Sequence, residues 1–352
     1  MIRKRRPSIP LSMQIKGFRV IYASMTLVVV LAFLLSSCSG RTDGRTLPSA
    51  NGSIYECVVV CGNEVYEPVK AVMAADMPCL PQMESYFRLT HVTSALFDDM
   101  LKGTRNVLMV DIQPDRYTQT KARYLRDAWS TPQAVCRVQT PDAEAFLDWW
   151  QQNGEQVREW FIREEMIRQV RFLRAGTNKE ARQALRQRLN CDMLIPADYV
   201  VVKDSADLVW CCNNKGSMRR DIVVYRYPYT QTSQLTPDSI YAKRDEVMGR
   251  LVTASVPGSY MGTEYRIFPP QCRQIEALEK DSTHSFYGYE VRGLWKILNG
   301  EAMGGPYVSH TRLDLKRGYV VTAEVFLYAA GQKKRNALRQ TEAILYTLSI
   351  AE

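Results

Sequence analysis

The spacing of apolar residues predicts short strands and helices in mixed order along the first half of the chain. The runs IYECVVVC from Ile54 and RNVLMVDI from Arg105 are β-branched and typical of buried strands. Between them the pattern predicts a helix in SALFDDMLKG, from Ser94 to Gly103. A helix from Gln119 to Ala128 and a strand from Gln133 to Val138 are predicted next.

Two helix starts follow this region. The triplet TPD from Thr140 joins a capping hydroxyl, a proline suited to the first helical position and an acid at the positive end of the helix dipole. We predict that the helix after it packs an apolar stripe on the core and breaks at Asn153 and Gly154. Thr177 and Glu180 predict a capping box for the next helix.

Strand-like runs dominate from Cys191 onward. MLIP, YVVVK, DLVWCC and DIVVYRYPY follow in quick succession, which predicts antiparallel neighbours. A second TPD triplet, from Thr236, predicts a helix to about Arg250, followed by strands in YEVRGLWKI, PYVSHTRLDL and GYVVTAEVFLYA and a closing amphipathic helix from Lys333 to Leu348. This grouping predicts an α+β fold with mostly antiparallel sheets flanked by helices, in two halves of similar size.

The first 37 residues differ from the rest. They contain six basic and no acidic residues and end in an apolar stretch from about Val20 to Leu35, the order of a secretory signal. The stretch is about 16 residues long, shorter than the roughly 20 that a membrane-spanning helix needs. A spanning anchor and an ordinary cleaved signal are the alternatives.

The end of this stretch, LSSC, resembles the lipobox of bacterial lipoproteins, in which a peptidase cleaves before an acylated cysteine. Its small residues suit a narrow protease site, and Cys38 supplies a nucleophilic sulfur. We therefore expect lipid at Cys38.

The predicted parts are a signal peptide over 1–37, a flexible tether over 38–53, an amino-terminal α/β half over 54–190 and a carboxyl-terminal α+β half over 191–352, the halves being separate or continuous. Translation begins at Met1 or, with a leader of more usual proportions, at Met13.

Cleavage would change the charge. The full chain has 46 basic and 37 acidic residues, a net charge of +9, of which six positive charges lie in residues 1–37. A mature chain near +3 gives no reason to expect a nucleic-acid partner. The basic and acidic residues between Glu155 and Arg188 interleave, which predicts a solvated, ion-paired helix surface. Contact with an anionic head group or cell-wall polymer is the alternative.

No known catalytic or cofactor motif occurs in the sequence. The three histidines, His91, His284 and His310, lie in unrelated contexts, and the common protease, hydrolase, phosphate-binding and dinucleotide motifs are missing. We predict no cofactor or metal. Whether the protein is an enzyme stays open, although binding is favoured, and the turn at His284 and Ser285 is an unfavoured catalytic candidate. Most of the eight cysteines after Cys38 are predicted to be small buried residues, with one or two long-range disulfides as the alternative.

One candidate binding patch lies in YEVRGLWKILNGEAMGGPYVSH. Tyr289, Arg292, Trp295 and Tyr307 are residue types that suit ligand or partner contacts, and the Gly-Gly-Pro triplet predicts a tight turn or a close backbone approach. The alternative is a hairpin whose aromatic residues pack on the sheet while Arg292 pairs with a carboxylate.

Several segments together resemble the domain-of-unknown-function family 4837, lipoproteins of Bacteroidota. They are LPQMESYF, TRNVLMVDI, the Pro132-Gln133 pair, IPADY, YRYPY, Arg244-Asp245, VRGLWK, MGGPYVS and KKRNALRQTEAILYTL. The resemblance implies a cell-envelope protein with a shared fold, and the family has no established activity. Acidic residues soon after the lipidated cysteine, which accompany surface display in that phylum, are missing here. This favours the outer membrane, facing the periplasm.

We therefore expect a lipoprotein that is held to the membrane by its amino-terminal lipid and binds an unknown envelope protein or ligand. The alternatives are an envelope enzyme acting on a polymer or lipid, and a structural or assembly lipoprotein. A deep cleft with convergent titratable groups would favour the enzyme, and a broad exposed apolar patch would favour the assembly role.

The lipid attachment can be tested directly. Radiolabelled palmitate is expected to enter the wild-type chain and a Cys272→Ala control, but not a Cys38→Ala variant. Equal labelling of Cys38→Ala would contradict the assignment. With the lipid-processing peptidase inhibited, the precursor mass distinguishes a start at Met1 from one at Met13.

Overall fold

Two large sheets organise the chain in its computed structural model, which describes residues 46–275, 278 and 288–350. The fold is α+β in two halves, as predicted. Cys38, the leader and the turn at His284 and Ser285 lie outside the described residues. Residues 48–352 belong to one compact unit. Among the described residues, no helix is both long and apolar enough to cross a membrane.

The first sheet has five strands in the order β2-β1-β3-β5-β4. Its strands are β1 Glu56–Val60, β2 Arg88–Val92, β3 Asn106–Ile112, β4 Lys121–Arg126 and β5 Ala134–Thr140. β1, β2, β3 and β5 run parallel, and β4 alone is antiparallel to its neighbour β5. The amino-terminal half is therefore mainly a parallel sheet, which explains why its strands read as continuous β-branched runs.

Helices cover one face of this sheet. They are α1 Asn63–Met73 and α3 Ala143–Leu173, while the short α2 Asp99–Lys102 precedes β3. Val65, Val69 and Met73 of α1 pack with Phe146 and Phe161 of α3 on the apolar side chains of β1, β3 and β5. The core thus lies between the sheet and α3.

The predicted break in the long helix does not occur. α3 runs through 31 residues without interruption, about 46 Å at 1.5 Å per residue. Gly154 lies beneath the Trp150 indole, where a Cβ would come within 2.8 Å of the ring, and the indole Nε1 donates to the Pro68 carbonyl at 3.1 Å. The glycine therefore serves close packing between α3 and α1.

The second sheet has eight antiparallel strands. Along its main path the order is β10-β12-β13-β14-β9-β8-β7, and β11 also pairs with β12. Its strands are β7 Val200–Ser205, β8 Leu208–Asn213, β9 Arg219–Pro228, β10 Tyr260–Thr263, β11 Gln271–Gln274, β12 Gly288–Leu298, β13 Gly304–Asp314 and β14 Tyr319–Tyr328. Two short strands, β6 Cys191–Asp192 and β15 Ser349–Ile350, pair separately.

Both faces of the second sheet are covered. Helices α4 Lys179–Leu189 and α6 Arg335–Leu345 pack on one face, and α5 Pro237–Leu251 packs on the other. This layering explains why β12, β13 and β14 are buried along nearly their whole length.

Some local predictions were wrong. The segment predicted as a helix over 119–128 contains β4, because its residues pair in antiparallel register with β5. The capping residues also differ from the predicted Thr140 and Thr177, since Asp142 accepts from the Ala145 amide and Asn178 accepts from the Ala181 amide.

The interleaved charges of α3 are partly internal, contrary to the prediction of a solvated surface. Glu165 is fully buried and accepts hydrogen bonds from Arg105 Nη2 at 2.8 Å and Asn106 Nδ2 at 2.7 Å. Arg168 Nη2 donates to Asn106 Oδ1 at 2.5 Å. These bonds tie the second half of α3 to the start of β3.

The eight described cysteines are all free, and seven are buried. Burial raises the pKa of Cys61, Cys136, Cys191 and Cys211 to about 12. The prediction of small buried residues is confirmed for this part of the chain.

A Gly154→Ala variant tests the packing of α3. Alanine favours an exposed helix by about 1 kcal/mol over glycine, but here the added methyl group must displace the Trp150 ring, which costs about 1–3 kcal/mol. We therefore expect a net loss of up to about 2 kcal/mol. Urea unfolding measures the difference. Gln152→Ala, at an exposed position of the same helix, is the control, and a stabilised Gly154→Ala variant would contradict the account.

Candidate functional site

A cleft of about 640 Å³ lies where α3, β11, β12 and α6 meet. It is lined by Gln156, Glu159, Trp160, Ile162, Arg163, Met166, Arg273, Gln274, Ile275, Leu278, Glu290, Arg339, Glu342 and Tyr346. A recess of about 220 Å³ adjoins the cleft, shares four of these residues and adds Arg292, Tyr86, Pro78, Gln271 and Cys272. We refer to the two together as the cleft.

Glu290 on β12 is the centre of the polar side of the cleft. Its Oε1 accepts from Arg273 Nε at 2.9 Å and from Arg292 Nε at 3.2 Å. Its Oε2 accepts from the Tyr346 hydroxyl and from His310 Nε2, both at 3.2 Å. Four donors from three strands and the chain segment after α6 thus converge on one buried carboxylate.

Glu342 on α6 is the second buried carboxylate. Its Oε1 accepts from Arg292 Nη2 and from Arg339 Nη1, the latter at 3.2 Å. Since Arg292 bonds both glutamates, it links β12 to α6. The two carboxylates are 2% and 0% exposed, so each depends on these arginines for its solvation.

The protonation states of this cluster are fixed by its surroundings. Burial would raise the pKa of Glu290, but Arg292, His310 and Arg273 hold it well below its usual range. Burial lowers the pKa of His310 despite its bond to Glu290, and burial raises that of Tyr346. At neutral pH, Glu290 is therefore ionised, while His310 and Tyr346 are neutral donors.

The arginines keep unused donors in the cleft. Arg292 Nη1 is buried without a hydrogen-bond acceptor among the described residues. Arg339 is 4% exposed, and of its donors only Nη1 bonds a described residue, Glu342. Arg273 is bonded to Glu290 through Nε. The cleft therefore offers guanidinium donors that the carboxylates do not satisfy.

The four residues of the predicted binding patch do not form one exposed surface. Arg292, Trp295 and Tyr307 are buried, and Tyr289 is half-buried. Because side chains alternate along a strand, Tyr289 and Trp295 face α5 whereas Arg292 faces α6. Arg292 alone of the four lines the cleft. It pairs there with carboxylates, as in the alternative interpretation of this segment as a packed hairpin.

Glycines of β12 and β13 allow close packing around Trp295 and Tyr307. Trp295 Nε1 donates to the Leu327 carbonyl at 3.1 Å, and a Cβ on Gly305 would lie 2.0 Å from that oxygen. A Cβ on Gly293 would lie 2.7 Å from the hydroxyl of Tyr307, whose ring stacks under the Arg244 guanidinium at 3.8 Å. Gly293 and Gly305 thus permit the close approach of β12, β13 and β14.

The sequence patterns did not indicate most residues of the cleft, including Arg273, Glu290, Glu342, Arg339 and Tyr346. A usable signal was present, because Glu290 and Arg292 occupy alternate positions of a mostly apolar strand and therefore point to one face. Arg339 and Glu342 stand three apart, on one face of α6. Within the described residues, no cluster of His, Cys, Asp and Glu could hold a metal.

The chain is similar to two families of unknown function. Residues 178–347 match the family model described as Domain of unknown function (DUF4837), and residues 50–174 match the one described as Domain of unknown function (DUF8532). The resemblance to family 4837 is confirmed over the carboxyl-terminal half, while the amino-terminal half matches the second family. No curated protein matches the chain.

Similar solved structures are distant. The Ran-binding protein Mog1p of Saccharomyces cerevisiae is 6% identical with a TM-score of 0.31, over 46% of this chain and 91% of that one. CyanoP, the PsbP of Synechocystis, is 9% identical with a TM-score of 0.31, over 49% and 89%. A Bacteroides thetaiotaomicron structure is 11% identical with a TM-score of 0.24, over 46% of both chains. Likeness at this level carries no argument about function.

Removal of Glu342 tests the charge cluster. In Glu342→Gln, Arg292 and Arg339 lose their shared buried counter-charge, and we expect a loss of about 3–5 kcal/mol in the free energy of unfolding. Glu246→Gln, which removes a half-exposed partner of Lys243, is the control and should cost at most about 1 kcal/mol. Similar losses in the two variants would refute the account.

The lowered pKa of His310 predicts a pH dependence. The unfolded chain protonates this histidine near pH 6.5, but the folded chain keeps it neutral to a lower pH. The free energy of unfolding should therefore fall as the pH falls below about 6.5. Urea unfolding between pH 7.5 and 5.5 should show a shallower fall in His310→Gln, and parallel curves would contradict this assignment.

Proposed function

We propose that this chain, whose residues 178–347 match the model of the domain-of-unknown-function family 4837, is a lipid-anchored binding protein of the bacterial cell envelope. In this proposal Cys38 carries the lipid, and the cleft holds a small ligand. The observation that carries the proposal is the buried Arg339, which lines the cleft with donors that no described residue accepts.

The size and shape of the cleft support ligand binding. The main cavity of the cleft, about 640 Å³, falls within the range of roughly 300–1,000 Å³ that is usual for small-molecule sites. Trp160, Ile162 and Ile275 supply apolar surface, and the arginines supply a few convergent polar groups. This combination is the usual composition of a ligand site.

The electrostatics favour binding over acid–base catalysis. An efficient general acid or base has a pKa near the working pH. Here the surroundings move the pKa of Glu290 far down and that of Tyr346 far up. Neither group exchanges a proton readily at neutral pH, although the cleft contains the convergent titratable groups that an enzyme would require. Fixed charges of this kind orient a ligand.

Capture of the natural ligand tests the proposal. The wild-type chain, purified from its own envelope, should release a small molecule on denaturation that mass spectrometry detects. Gln156→Trp places an indole at the cleft without changing the charge, so we expect at least a tenfold loss of the captured molecule. Gln156 is exposed and lines the cleft.

Gln152→Trp is the matched control. Gln152 lies four residues earlier on α3, is exposed, and does not line the cleft. This variant should retain the ligand at the wild-type level. If no molecule is released by wild type, or if both variants keep it equally, the cleft is not the binding site.

A further inference from the structure

We propose that the ligand of the cleft carries a single carboxylate next to an apolar group, and that Arg339, Arg273 and Arg292 recognise the carboxylate. The inference rests on the proposed function, since it assumes that the cleft is the ligand site. It adds the chemical class of the ligand, which neither family match supplies.

The charge of the cluster favours a monoanion. Three arginines, Arg273, Arg292 and Arg339, face two buried carboxylates, Glu290 and Glu342. With His310 and Tyr346 neutral, the described groups of this cluster leave one positive charge unbalanced. Arg273 is 56% exposed, so water solvates part of this charge, and a ligand with one negative charge balances it.

The charged residues at the outer part of the cleft do not reverse the preference for a monoanion. Glu159 is half-exposed and faces Arg158 at 3.5 Å. Arg163 donates through Nε to the Leu278 carbonyl at 2.7 Å. A dianion would instead bring a second negative charge beside Glu290 and Glu342, where like charges repel strongly at low dielectric.

The geometry of the donors suits a carboxylate. Arg339 is nine-tenths buried and uses Nη1 for Glu342, while its Nε and Nη2 donate to no other described residue. The guanidinium is a planar fork that matches the two oxygens of a carboxylate. The rings of Tyr55 and Tyr86 hold it in place, with centroids 5.7 and 5.6 Å from its carbon.

The remaining walls suit an apolar group. Trp160, Ile162, Met166, Ile275 and Leu278 line the same cavity as Arg339 and Arg273. A carboxylate bound to the arginines therefore leaves apolar surface of the cleft for the part of the ligand that follows it. Two sources share this chemistry: a fatty acid and a peptide with an apolar carboxyl-terminal residue.

Isothermal titration of the full chain in neutral detergent, with detergent alone as the blank, tests the class. The probes are octanoate against octanamide and N-acetylphenylalanine against its amide. We expect at least one acid to bind at least tenfold more tightly than its matched amide, and the acid that binds identifies the source. The inference would be overturned if both amides bound with affinities within threefold of those of their matched acids. It would also be overturned if none of the four probes bound.

Variants locate the carboxylate. Arg339→Gln and the more exposed Arg273→Gln should each weaken acid binding at least tenfold and leave amide binding unchanged, whereas Arg273→Lys should restore part of the loss. Arg123→Gln, at an exposed position of β4, is the control. Circular dichroism confirms folding, and if Arg339→Gln does not fold, Arg273→Gln carries the test. Acid binding that both folded variants retain would overturn the inference.

The outcome separates this inference from the proposed function. If Gln156→Trp abolishes capture of the natural ligand but no acid binds the wild-type chain, the cleft is a binding site and the ligand class is wrong. If neither ligand capture nor acid binding occurs, the proposed function fails with it.

Discussion

A buried arginine–glutamate pair on each face of the second sheet is the interaction on which the structure depends. On one face Arg292 of β12 binds Glu342 of α6, and on the other Arg244 of α5 binds Glu324 of β14 at 2.7 Å. All four side chains are almost fully buried. Such pairs add little net stability over apolar residues, but they cost several kcal/mol when broken, so they specify where each helix lies.

The two pairs differ in what surrounds them. Arg244 donates through Nε and Nη2 to both oxygens of Glu324, bonds Thr263, stacks on Tyr307 and is 2% exposed. Arg292 divides its donors between two glutamates and lies beside a recess. The first arrangement is complete within the protein. The second has donors left over, which is why it supports a binding site.

The long helix α3 connects the halves at this place. Its first turns pack on the parallel sheet, its middle lines the cleft, and it also contacts α6. Glu84, in the segment before β2, accepts from the backbone amides of Lys334 and Arg335 at the start of α6. The amino-terminal half therefore positions the helix that carries Arg339 and Glu342.

Sequence patterns were sufficient to predict the helices and strands whose signals lie within a single segment of the chain. The TPD triplet at Thr236 corresponds to the observed α5, and the strand-like runs YEVRGLWKI, PYVSHTRLDL and GYVVTAEVFLYA correspond to β12, β13 and β14. β4 was mistaken for a helix because an edge strand that is mostly exposed has little apolar alternation. The cleft could not be predicted from the sequence for another reason. Arg273, Glu290 and Glu342 come from three separate segments. They meet only through the register of β11 with β12 and the docking of α6.

The central claim is that these leftover arginine donors belong to a ligand. A high-resolution crystal structure of the full chain, purified from its own envelope, tests it most directly. We predict density for an anion within hydrogen-bond distance of Arg339 in the cleft. An empty cleft in which acceptors of the protein itself satisfy Arg339 and Arg292 would contradict the account.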